Sequence, residues 1–175
     1  MTHYEDIYEV AADNYGLITS AGAKKLGISD KEMSALAKRG RIIKRGHGVY
    51  KLAQYIPTPF DIYAEAVVLV GPSAYLYGES VIALLGLAPT NPARVYVATP
   101  ARTRKLLPEH IVVIKASDGV TYYEGIPSQI VSDAIDACRK TMMPERLEEA
   151  VSEARRQGFI TDAQRANLLK SLGRA

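Results

Sequence analysis

The stretch that most limits what this chain can fold into is RGRIIKRGHGVYKL, residues 39–52, in which six of fourteen residues are Lys, Arg or His and three are glycine. Arg41–Lys44 and Val49–Leu52 are short strand-forming runs, and Arg45-Gly46-His47-Gly48 between them has the glycines that a tight hairpin demands. What precedes the hairpin fixes its context. Ser29-Asp30-Lys31-Glu32 is a capping box, with Ile28 placed to staple onto Met33, so a helix is expected over about 30–39. Thr19 or Ser20 caps a shorter helix, AGAKKL, which Gly27 ends. Residues 2–15 carry Tyr4, Ile7, Tyr8, Ala11, Ala12 and Tyr15 at helical spacing, with Gly16 closing that helix. Helix, glycine turn, capped helix and then a basic hairpin is the order of a winged helix-turn-helix.

Charge falls in the same place. Residues 20–52 hold nine Lys or Arg against only Asp30 and Glu32, whereas residues 53–175 are balanced at thirteen of each sign. On the third helix Met33, Leu36 and Ala37 are expected to pack inward, leaving Lys31, Ser34 and Lys38 on one outer face, where a small Ser34 permits close approach to base edges. Arg45 and His47 are expected at the wing tip, with Arg39, Arg41, Lys44 and Lys51 along its edges to meet phosphates or the minor groove. Lys24 and Lys25 of the preceding short helix complete the candidate DNA-binding set. A winged helix can equally grip an acidic protein surface, and binding to duplex DNA separates the two readings.

Beyond a Pro-containing linker, Tyr55-Ile56-Pro57-Thr58-Pro59, the pattern changes. Thr58 is expected to cap an apolar helix that serves a second core, and residues 77–87 form another helix ended by Gly86. Strands are expected at 94–98, 110–115 and 120–124, the last two joined as a hairpin through Ser117-Asp118-Gly119, followed by a helix over 128–139. Pro144 opens a tail helix, and Thr161-Asp162-Ala163-Gln164 is a capping box for the last one. The fold class is α+β: a winged helix-turn-helix domain over 1–54, then a mixed α/β domain over 55–175 with a helical tail.

Several function classes drop out. One cysteine, Cys138, and three scattered histidines assemble no set of zinc ligands, and no cofactor is expected. Gly78-Glu79-Ser80 lacks the second glycine of a nucleophile elbow, and Gly71-Pro72-Ser73 is no phosphate-binding loop, so an enzyme is not expected. The acidic, amphipathic N-terminus and the absence of any run near twenty apolar residues point to the cytoplasm and away from a membrane. Arg102, Arg104 and Lys105 form a compact basic loop after Pro100.

YGLITSAGAKKLGISDKEMSALAKRGRIIKRGHGVYKL resembles the N-terminal winged helix of the AbiEi family, the bacterial antitoxins of type IV toxin–antitoxin systems. YLYGESVIALLGLAPTNPARVYVATP and EGIPSQIVSDAIDAC are similar to the same family's C-terminal antitoxin domain. The resemblance implies a regulator that binds inverted repeats upstream of its own operon and represses it. It also implies a C-terminal domain that opposes a nucleotidyltransferase-like toxin without a stable complex.

Overall fold

A computed structural model describes residues 2–91 and 93–174, which group into two compact units. The first comprises residues up to Pro72 together with Thr103–Leu107, and the second Ser73–Arg102 together with the chain from Pro108 onward.

In the first unit the elements run α1 (His3–Ala12), β1 (Leu17–Thr19), α2 (Ser20–Lys25), α3 (Asp30–Lys38), β2 (Ile42–Gly46), β3 (Val49–Leu52) and α4 (Asp61–Val70). Helix starts follow local chemistry. Thr2 and Glu5 form a capping box on α1, Thr19 Oγ1 accepts from the Gly22 N–H on α2, and Ser29 and Glu32 form the box that opens α3. The core is Ile7, Ala11, Ile18, Ala23, Ile28, Met33, Ile42, Tyr50 and Leu52, drawn from every element between α1 and β3. Ile28 and Met33 both lie in it, as a staple requires.

β3 is the central strand of a three-stranded antiparallel sheet, with β2 on one side and β1 on the other. β1 has no counterpart in the sequence reading, since three residues are too few to display alternation. The first helix is also shorter than the expected 2–15: α1 stops at Ala12, and Tyr15 and Gly16, both at positive φ, turn the chain so that Leu17, Ile18 and Thr19 pair with Lys51, Tyr50 and Val49. The winged-helix arrangement is therefore complete, including the strand that precedes the helix pair.

The second unit contains β4 (Tyr75–Leu76), α5 (Glu79–Leu84), β5 (Val95–Thr99), β6 (Ile111–Lys115), β7 (Val120–Tyr123), β8 (Ile126–Gln129), α6 (Val131–Ala137), α7 (Pro144–Arg156) and α8 (Asp162–Ser171). Its sheet has the order β6-β5-β4-β8-β7, with β5–β6 and β4–β8 parallel and the other pairs antiparallel. The hairpin expected between 110–115 and 120–124 does not form, because β6 and β7 lie on opposite edges of this sheet. β7 instead turns through Glu124-Gly125, both at positive φ, onto β8. Those dihedral signs are those of a tight hairpin turn. Asp118, assigned to a turn in the sequence reading, accepts a hydrogen bond from the Tyr75 hydroxyl at 2.7 Å. The helix expected from Ser128 starts only at Val131, since Ser128 and Gln129 are buried strand residues and Gln129 Oε1 accepts from the Gly78 N–H at 3.0 Å.

Gly78 adopts φ 53, ψ −120, a conformation open to glycine, and a Cβ there would meet Cys138 Sγ at 3.4 Å. Cys138 is buried, which pushes its thiol pKa up to about 12, so it is an inert core residue. α6, α7 and α8 complete the unit, with Leu147, Ala150, Val151 and Ala154 forming the buried stripe of α7.

Candidate nucleic-acid interface

The α3 helix presents two distinct faces. Met33 is fully buried, Leu36 and Ala37 pack partly against the core, and Lys31, Ser34 and Lys38 are exposed. Arg39 follows as an exposed C-cap, and Lys24 and Lys25 are exposed in the last turn of α2. Lys24 reaches Asp30 Oδ2 at 3.2 Å across the turn between the helices. Glu32 accepts from the Ser29 N–H at 2.7 Å and lies 2.8 Å from His3 Nδ1. The Ser29 backbone bond holds its carboxyl below the usual range, with His3 adding to the effect. The acidic groups of α3 are thus committed to the helix start, away from the Lys31, Ser34 and Lys38 face.

The wing differs from expectation in one respect that matters. Its turn is only His47-Gly48, with Gly48 at φ 67, whereas Arg45 and Gly46 belong to β2. The β2–β3 register slips between Lys44 and Gly46, which pair with Tyr50 and Val49, so Arg45 is the unpaired residue of a bulge. A bulge re-aims the side chain it carries. Here the Arg45 guanidinium meets the Glu65 carboxylate of α4 in a two-pronged pair, Nε to Oε1 and Nη2 to Oε2, the latter at 3.2 Å. Arg45 therefore faces α4 and is not a free cation of the wing tip. The same helix approaches the wing backbone: Leu69 Cδ2 would lie 2.5 Å from a Cβ at Gly46, so a side chain there would have to displace the tip of Leu69.

A second carboxylate of α4 acts in the same way one turn earlier. Asp61 Oδ2 accepts from Lys51 Nζ at 3.0 Å, while Oδ1 accepts from the Thr58 N–H and hydroxyl. Burial alone would raise the Asp61 pKa, but the Thr58 and Lys51 hydrogen bonds outweigh it and hold the carboxyl below its usual range. This also corrects the expected cap. Thr58 does not cap the helix, which begins at Asp61 after Phe60, and Thr58 instead orients the Asp61 carboxylate. Nor does α4 belong to the second core as expected, since it groups with the first unit.

The remaining candidates divide by their partners. The Arg41 guanidinium carbon stands 4.0 Å from the centroid of the Tyr4 ring, a cation–π contact that leaves its charge exposed. Among the described residues no carboxylate pairs with Lys25, Lys31, Lys38, Arg39, Lys44 or His47, all of them exposed. Sequence reasoning missed Asp61 and Glu65. Their one signal was a pair of carboxylates at i, i+4 on an otherwise apolar helix.

Residues 5–53 match the family model described as "Transcriptional regulator, AbiEi antitoxin", a span that runs from α1 through β3. Over that segment the chain is similar to the AbiEi antitoxin regulators. The AbiEi match stops just after β3, before the α4 carboxylates that face the wing. No curated protein matches the chain. Among solved structures, the chain is similar to the RV2827C protein from Mycobacterium tuberculosis, at 16% sequence identity and a TM-score of 0.40 over 99% of this chain and 78% of that one. No described helix is long and apolar enough to cross a membrane, and no described group of three or more His, Cys, Asp or Glu side chains could hold a metal ion.

Proposed function

We propose that the protein is a type IV antitoxin whose winged helix, residues 1–54, binds inverted repeats in the promoter of its own operon and represses it. The C-terminal domain, residues 55–175, counteracts a nucleotidyltransferase-like toxin without forming a stable complex, acting as a cytoplasmic regulator and not as an enzyme. The family description of residues 5–53 supports the regulatory half of this reading. The single observation that carries DNA binding is the α3 face of Lys31, Ser34 and Lys38, exposed, opposite the buried Met33 and unpaired with any described carboxylate. In this reading α3 enters the major groove, Lys31, Ser34 and Lys38 approach base edges, and Lys25, Arg39, Lys44 and His47 sit on phosphates. Lys24 and Arg41 contribute with their present partners retained, and Arg45 only on release from Glu65.

Fluorescence anisotropy with duplex from upstream of the gene tests this. About five freely available cations predict a slope of log K against log salt of roughly −4 to −5, or two to three decades of affinity lost between about 50 and 200 mM. A slope near zero, or no binding at low salt, refutes the reading and favours a protein-binding winged helix. Co-expression with the neighbouring nucleotidyltransferase tests the antitoxin half, with growth restored as the expected outcome.

A further inference from the structure

The chain leaves the second unit after Arg102 and contributes Thr103–Leu107 to the first before returning at Pro108. Lys105 Nζ lies 3.5 Å from the carbonyl oxygen of Leu69, in the last turn of α4. Carbonyls of a last helical turn lack intrahelical donors and carry the negative end of the helix dipole, so an ammonium is favoured there. Leu69 is also the residue whose side chain packs on Gly46, immediately before the wing turn. Lys105, Leu69 and Gly46 therefore link the 103–107 segment to the wing through the end of α4. Arg104 in this segment is exposed and pairs with no described carboxylate. The two wing cations that face α4, Arg45 and Lys51, are by contrast both neutralised by its carboxylates.

We infer that Thr103–Leu107 is a second phosphate-contacting element of the DNA-binding unit, with Arg104 adding an exposed cation to that unit and Lys105 anchoring the segment on α4. The inference rests on the winged-helix reading above and deepens it. The ligand is the sugar–phosphate backbone of duplex DNA flanking the groove occupied by α3. Because it contacts phosphate only, its contribution is the same for operator and unrelated sequences.

The test compares full-length wild type, Arg104→Gln and Arg104→Lys in salt titrations on operator and scrambled duplex. Arg104→Gln is expected to flatten the slope by about 0.9 on both sequences, with affinity falling about five-fold near 150 mM, while Arg104→Lys keeps the wild-type slope. An unchanged thermal midpoint shows that the side chain, exposed and unpaired, has no part in folding. If wild type binds with its steep slope and Arg104→Gln shares it, the loop inference fails and the winged-helix reading stands. Should wild type not bind DNA at all, both fall together.

Discussion

Neutralising Glu65 should make this protein a tighter DNA binder, an outcome opposite to that of most substitutions near a binding surface. In wild type the Arg45 guanidinium is engaged by both oxygens of Glu65, so its charge is already compensated when DNA arrives. The Arg45 side chain is 45% exposed and that of Glu65 15%, so solvent screens the pair and its worth to folding is only about 0.5 kcal/mol. For a chain of this size that corresponds to a thermal midpoint lowered by roughly 1–2 °C in Glu65→Gln. The gain in binding is larger. An arginine released beside the wing that neutralises one more phosphate steepens the slope of log K against log salt by about 0.9 and raises affinity about five-fold near 150 mM. Arg45→Ala should leave the wild-type slope within about 0.3 of its value, since it removes a charge that was not available. Anisotropy titrations of the three proteins between about 50 and 200 mM salt measure all of this. If Arg45→Ala flattens the slope by about 0.9 while Glu65→Gln changes nothing, Arg45 reaches DNA from the bulge as it stands, and the assignment of Glu65 as its restraint is refuted.

Two further substitutions test the packing on which these arguments depend. The depressed pKa of Asp61 means that its bonds to Lys51 and Thr58 stabilise the folded state fully above the ordinary carboxylate range, a contribution lost as pH falls through the depressed value. Denaturant midpoints of wild type and Asp61→Asn should therefore differ near neutral pH and converge as pH falls through the depressed Asp61 value, and a difference that stays constant into acid contradicts the assignment. Gly78→Ala forces a side chain into φ 53, ψ −120 against Cys138, and should cost about 1–3 kcal/mol in urea unfolding, with an unaltered midpoint as the refuting outcome.

Much of the winged-helix unit was legible because its signals are local. The Ser29–Glu32 box, the Gly27 turn and the glycines of the wing each act within a few residues, and α3, β2 and β3 form where those signals put them. Features set by distant partners were not legible. β1 exists because β3 offers an edge to Leu17–Thr19, and nothing within three residues announces that. The β7–β8 turn at Glu124-Gly125 was hidden behind Ser117-Asp118-Gly119, whose composition is the stronger turn signal but whose aspartate is bound to Tyr75. Arg45 is the most instructive case. Its place in a basic, glycine-rich run marked it as a wing-tip contact, yet a one-residue slip in register turns it toward a carboxylate twenty positions later. Counting charge along a sequence cannot reveal which charges the fold has already spent on itself.

The central position of β3 has a consequence for how such a module can vary. Leu17 lies directly across from Lys51, and the Leu52 N–H donates to the Gly16 carbonyl at 2.8 Å, so the chain enters and leaves the helix pair and wing at adjacent points, about 5 Å apart. The two ends of this segment are stitched together by the sheet itself, while α1 and α4 hold it from outside. What can vary without disturbing either neighbour is the outward side of α3, where Lys31, Ser34 and Lys38 are exposed, because the positions held from outside, Met33 and Gly46 among them, lie elsewhere.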